Sequence, residues 1–179
     1  MIVTAKKIVI TILVVIVLVI AALFVAAWNY GVFAKVEISV EDRGPFHFVY
    51  LQKQGPFSEI SAAWEEAEAL FEEQQLAKGI GCGEYLDDPA LVEAEELRWR
   101  VGFLVPDSVS VKEPLSYKRL PQHTYVIATV KAHPMVAPFK TYPALEEWGK
   151  TSAYQFVGMA YELYPDEGVV EVLFPVDKI

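Results

Sequence analysis

The sequence predicts an α+β fold, with two strand–helix–strand–strand units packed as a pseudo-twofold pair around a cleft, behind one N-terminal transmembrane helix. Three observations carry this reading. Residues 8–27 form an apolar run in which Thr11 is the only polar residue. After it, β-branched and aromatic stretches alternate with two amphipathic, helix-like stretches in the same order twice. Short texts also repeat loosely between the halves: GPFSEISAAWEEA beside APFKTYPALEEWG, EYLDDP beside YELYPD, and WRVGFLVPD beside VEVLFPVD. The offset between them drifts from about 82 to about 71 residues, which marks a degenerate duplication rather than a solenoid.

Twenty helical residues rise about 30 Å, the thickness of a bilayer's hydrocarbon core. A lone helix in lipid satisfies its own backbone, so the β-branched richness of residues 8–27 does not argue against it. The hydroxyl of Thr11 can return to a carbonyl one turn earlier. Trp28 and Tyr30 follow where amphipathic rings favour the headgroup region. A cleaved signal peptide is the rival, since Lys6 and Lys7 precede the run and alanine pairs close it. Its apolar core would be about 7–15 residues, shorter than this one, so an uncleaved anchor is preferred. The division is then an anchor over 1–30 and a folded domain over 31–179. Lys6 and Lys7 before the helix favour the N-terminus inside and the domain on the outer, extracytoplasmic side of a single-pass protein.

The elements of the domain follow in order. Val36–Val40 and Phe46–Gln52 read as strands. Gly55-Pro56 closes them, and Ser58 is placed to cap a helix running to about Ala77. There Ile60, Trp64, Ala67 and Phe71 share one face, opposite a row of glutamates, and Lys78-Gly79 ends the helix. Strands are expected at Ile80–Leu86 and Leu97–Val105, with a turn at Asp87-Asp88-Pro89. Tyr117–Lys131 is β-like, broken at Pro121. A short helix follows Thr141, from Pro143 to about Thr151, with Leu145 and Trp148 inward. Phe156–Tyr164 and Val169–Phe174 form the last strand pair around Pro165–Gly168.

Composition narrows the function. The chain has 179 residues, 24 acidic against 15 basic, and one cysteine. Residues 31–179 hold 13 bases against all 24 acids, leaving −11. That balance argues against nucleic-acid binding, which needs basic surface to replace counterions. One cysteine excludes an internal disulfide or a Cys-rich zinc site. His47, His123 and His133 show no metal-like pairing, so no metal and no cofactor are expected. No GxSxG elbow, HExxH or P-loop is present. GIGCG at 79–83 leads into a strand rather than a helix and reads as a turn, not a nucleotide loop. Cys82 reads as a small buried hydrophobe.

One acid stands out. Glu162 lies within AYELY, and period-two alternation puts Ala160, Glu162 and Tyr164 on one face, Tyr161 and Leu163 on the other. A carboxylate facing an aromatic cleft could pair with a cation, or take a raised pKa suited to acid–base work. The alternative is an exposed strand glutamate. Tyr85 and Tyr161 are candidate pocket walls. Trp99 is expected to point inward between Arg98 and Arg100, which point to solvent, and Trp64 and Trp148 read as core.

The order of QKQGPFSEI, GEYLDDP, LRWRVGFLV, YKRLPQHTYVIATV and AYELYPD…EVLFPV resembles the GyrI-like small-molecule-binding domain family, found also as the effector-binding part of AraC-type and MerR-type regulators. Within it, the sequence is similar to the membrane-anchored, testis-expressed ER-phagy receptors of animals, which also begin with a hydrophobic helix. The resemblance implies a duplicated fold with a ligand cleft, and a glutamate at the position of Glu162 that meets cationic, lipophilic compounds. It implies aromatic walls at Tyr85, Trp99 and Tyr161. Some relatives resemble hydrolases of strained compounds that use the same glutamate. No DNA-binding region precedes the domain, and the chain ends at Ile179 without an autophagy-binding tail, so neither a transcriptional nor an ER-phagy role is expected. The leading reading is a membrane-anchored binder of lipophilic, cationic small molecules, touching the bilayer through residues 8–27. The alternatives are a small hydrolase using Glu162 and a tethered protein-interaction adaptor.

Overall fold

The computed structural model describes the backbone of residues 2–179 and the side chains of Lys7 and residues 10–179; those of Lys6, Ile8 and Val9, used in the reading of the anchor, lie outside the described residues. Helix α1 spans Ile2–Asn29, and Ile10–Asn29 within it is long and apolar enough to cross a membrane. A signal sequence near the N-terminus meets the same criterion of length and composition. The Thr11 hydroxyl donates to the Lys7 carbonyl at 3.0 Å, as an apolar setting requires.

The domain contains β1 (Val36–Arg43), β2 (Phe46–Gln54), α2 (Ile60–Glu73), β3 (Gly81–Tyr85), β4 (Arg98–Val105), β5 (Leu115–Leu120), β6 (His123–Lys131), α3 (Pro138–Thr151), β7 (Tyr154–Phe156), β8 (Ala160–Tyr164) and β9 (Val169–Lys178). The strands form one antiparallel sheet in the order β1-β6-β9-β8-β3-β4-β2-β5, with β7 pairing the far end of β9. This order is its own mirror image under exchange of the two halves. Each unit contributes three neighbours (β2-β4-β3 and β6-β9-β8), and each lends the strand before it to the other unit's edge. The duplication expected from the text is therefore present. The two units are fused into one sheet, because β3 and β8 pair directly, with Gly83 opposite Glu162.

The sheet cannot be flat. Two residues join β1 to β2, and two join β5 to β6, yet each pair lies at opposite ends of the strand order. Such short links reach only about 10 Å, so the ends curl toward each other. The curl encloses Phe48, Cys82, Leu104, Tyr125, Ile127, Leu163 and Leu173 on the reverse face. On the other face, α2 covers a core around Phe71, Trp99 and Val101, while α3 covers one around Val126, Leu145 and Val172.

Several boundaries differ from the sequence reading. Helix α2 opens on a 3-10 turn at Phe57–Glu59, and Ser58 makes no capping hydrogen bond. It ends at Glu73, short of Ala77, because Gln75 adopts φ +56°. The Gln75 amide then donates to Glu72 O and the Leu76 amide to Phe71 O, closing a Schellman stop. The Gln74 side chain locks that stop through paired bonds to the Lys112 backbone. Helix α3 begins at Pro138, five residues before the expected start, and carries Pro143 on its exposed side. The strand expected over Phe156–Tyr164 is two strands, separated where the Val157 amide turns to bond Pro175 O.

Candidate ligand-binding cleft

Between α2 and α3, on the face away from the curl, lies a cleft of about 1670 Å³ floored by β3, β8 and β4. Its first wall is aromatic because α2 keeps Trp64 on its inward face, where the ring edge meets Tyr164 at 5.7 Å and Phe103 at 5.7 Å. Phe57, in the turn before α2, packs edge-on against Tyr85 at 5.3 Å. Tyr142 of α3 stands on the opposite wall against Phe174.

Glu162 sits in this floor, only 3% exposed. Three phenol hydroxyls donate to its carboxylate: Tyr164 at 2.8 Å, Tyr142 at 3.1 Å and Tyr85 at 3.3 Å. Each comes from a different source. Tyr164 shares the strand face two residues on, Tyr85 crosses from β3, and Tyr142 descends from α3. Desolvation raises the Glu162 pKa above the ordinary glutamate value, and the three phenols oppose that rise. Burial and the adjacent carboxylate push the phenols of Tyr85, Tyr142 and Tyr164 well above the ordinary tyrosine value, so they remain donors.

A second buried acid provides the contrast. Glu84, also 3% exposed, is one strand over and one residue out of phase, so it points to the reverse face. There Arg100 Nη1 reaches it at 2.8 Å and Lys118 Nζ at 2.5 Å. Glu84 is thus neutralised by two bases, and among the described residues no ion pair includes Glu162. Arg100, expected in solvent, is instead half-buried in this network, while Arg98 is exposed and pairs with Asp87.

The structure brings together Glu162 and Tyr85 and separates the other two candidates from them. Tyr161 lies across the sheet beside Lys118 and Tyr125, as period-two alternation requires. Trp99 is fully buried beneath α2, its indole N–H donating to Gly55 O at 2.9 Å. Trp64 borders the cleft rather than lying wholly in the core. Tyr142 is the residue the sequence reading missed. The expected start at Pro143 lies one residue beyond Tyr142, whereas α3 begins at Pro138 and includes it. The readable signal was Pro138, a proline suited to the first turn of a helix. Among the described residues no cluster of histidine, cysteine and carboxylate side chains could hold a metal ion.

The sequence model of the GyrI-like small molecule binding domain matches residues 36–177. The chain belongs to the GyrI-like family. Solved structures share the GyrI-like fold at low identity. The C-terminal domain of EcmrR superposes with a TM-score of 0.67 at 14% identity, covering 80% of this chain and 99% of that one. SAV2435, solved bound to tetraphenylphosphonium, gives 0.57 at 14% identity over 79% and 94%. A hydrolase from Listeria innocua gives 0.55 at 11% identity over 80% and 93%. No curated protein matches the sequence. The GyrI-like assignment makes this a small-molecule-binding domain, and the cleft between its two units is the candidate site.

Proposed function

We propose that this chain is a membrane-anchored receptor for lipophilic cations, which bind in the cleft with Glu162 as counter-ion. The observation that carries the reading is the unequal treatment of two equally buried carboxylates. Glu84 has its bases built in; Glu162 has three neutral donors that hold its oxygens in place and leave its charge to be matched from outside. Aromatic faces around it attract a cation in their own right. The charged rim points the same way, with Glu68, Asp88, Asp166 and Glu167 against Lys131. Apolar groups on the ligand would fill the space between Trp64, Phe57 and Tyr142. Helix α1 is read as an uncleaved anchor, with the lysines before it favouring the domain on the outer side.

The ligand class is tested by comparing tetraphenylphosphonium with its neutral carbon isostere on the full chain in phosphatidylcholine nanodiscs, with empty nanodiscs subtracted. The cation should bind and the isostere should bind at least about tenfold more weakly, a difference of about 1.4 kcal/mol. Equal affinities would remove Glu162 as a charge partner and leave a generic apolar cleft.

A further inference from the structure

The end of α1 is not followed by a free linker. Within four residues of Asn29 the chain is fastened to the segment that leads into α3. The Tyr30 carbonyl accepts the His133 amide at 3.1 Å, and Lys140 Nζ donates to the Val32 carbonyl at 2.7 Å. The Tyr30 and His133 rings lie 4.9 Å apart. Gly31, at φ +75°, passes so close that a Cβ would stand 2.5 Å from Lys131 O and 2.6 Å from Ala132 Cα. Backbone contact of this kind holds the domain at a set position relative to the helix end.

The same segment exposes two large apolar side chains, Met135 (75%) and Phe139 (82%). Neither packs into the domain, although Phe139 sits in the first turn of a helix whose other face is core. Both border the cleft that reaches Glu162, and so does Asn29, the last residue of α1. Trp28 and Phe33 cluster with Phe24 at the adjoining end of the helix, as interfacial aromatic residues do.

We infer that Met135 and Phe139 seat in the headgroup layer of the bilayer that α1 crosses, so that the mouth of the cleft opens at the lipid surface. The inference rests on the reading of α1 as an anchor. Its occupant is lipid because the two apolar side chains stand on a segment tied to the end of the apolar helix, and a domain of charge −11 approaches a neutral bilayer through apolar rather than electrostatic contact.

Depth-dependent quenching tests it on the full chain. An environment-sensitive fluorophore is attached at Met135→Cys, at Gln122→Cys or at Val17→Cys; Cys82 is fully buried and does not compete for label. Gln122 is exposed and precedes β6, whose run to Lys131 places it about 27 Å from the anchored end. In phosphatidylcholine nanodiscs carrying nitroxide lipids, position 135 should be blue-shifted and quenched most by shallow nitroxides, position 17 by deep ones, and position 122 by neither. Adding Phe139→Asp should abolish the blue shift at 135. Quenching at 17 without quenching at 135 overturns the inference and leaves the anchor standing, as does equal quenching at 135 and 122. No quenching at 17 overturns the anchor and the inference together.

Discussion

Replacing Glu162 by glutamine keeps the side chain's shape and removes its charge. In the cleft a ligand cation seated about 4 Å from the carboxylate would gain about 4 kcal/mol at an effective dielectric constant near 20. Part of that is lost to desolvating the cation and to ionising an acid whose pKa burial has raised. A net loss of about 2–3 kcal/mol in the variant follows, or about 30- to 140-fold in Kd for a phosphonium. The neutral isostere should change by less than about threefold, because the aromatic walls are untouched. Calorimetric titration of both ligands against both proteins gives the four affinities, and their double difference isolates the charge term. The reasoning is refuted if glutamine weakens the two ligands equally, which would mean the variant had disturbed the phenol cage. It is also refuted if the cation's affinity is unchanged.

Three other outcomes follow from the same geometry. Because burial raises the Glu162 pKa in the folded state, its contribution to stability is fully present below the ordinary glutamate value and is lost as pH rises through the raised one; the Tm of Glu162→Gln should therefore gain on the parent as pH rises from the ordinary glutamate value through the raised one, and cation binding in that window should release protons, read by titration in buffers of different ionisation enthalpy. Tyr164→Phe removes the shortest of the three bonds to the carboxylate, so phosphonium affinity at neutral pH should fall about three- to tenfold, and Tyr142→Phe should do the same more weakly. Glu84→Gln leaves Arg100 and Lys118 facing each other half-buried; it should cost about 2–3 kcal/mol of stability, seen as a Tm drop of about 5–10 °C, while ligand affinity of the folded protein is unchanged.

The sequence by itself determined the parts governed by local pattern. The apolar run over residues 8–27 reads directly as a helix, and the structure has a helix over Ile10–Asn29 that is long and apolar enough to cross a membrane, none of it buried in the domain. The doubled strand–helix–strand–strand order was legible because periods of 2 and 3.6 are properties of short segments. Alternation in AYELY even placed Tyr164 with Glu162 and Tyr161 opposite, so the position of Tyr161 across the sheet follows the local rule, not its candidacy as a wall. What only the tertiary structure decided is which strand of one half pairs with which strand of the other. Register between β3 and β8, 77 residues apart at Tyr85 and Glu162, cannot be read from either strand alone. That single pairing puts Tyr85 beside Glu162 and sends Glu84 to the opposite face. The helix start at Pro138 then brings Tyr142 down onto the same carboxylate. An acid's meaning depends on whether a base reaches it, and that is a matter of three-dimensional neighbours: two glutamates of similar strand context, equally buried, end as one closed ion-pair network and one carboxyl group held by phenols alone.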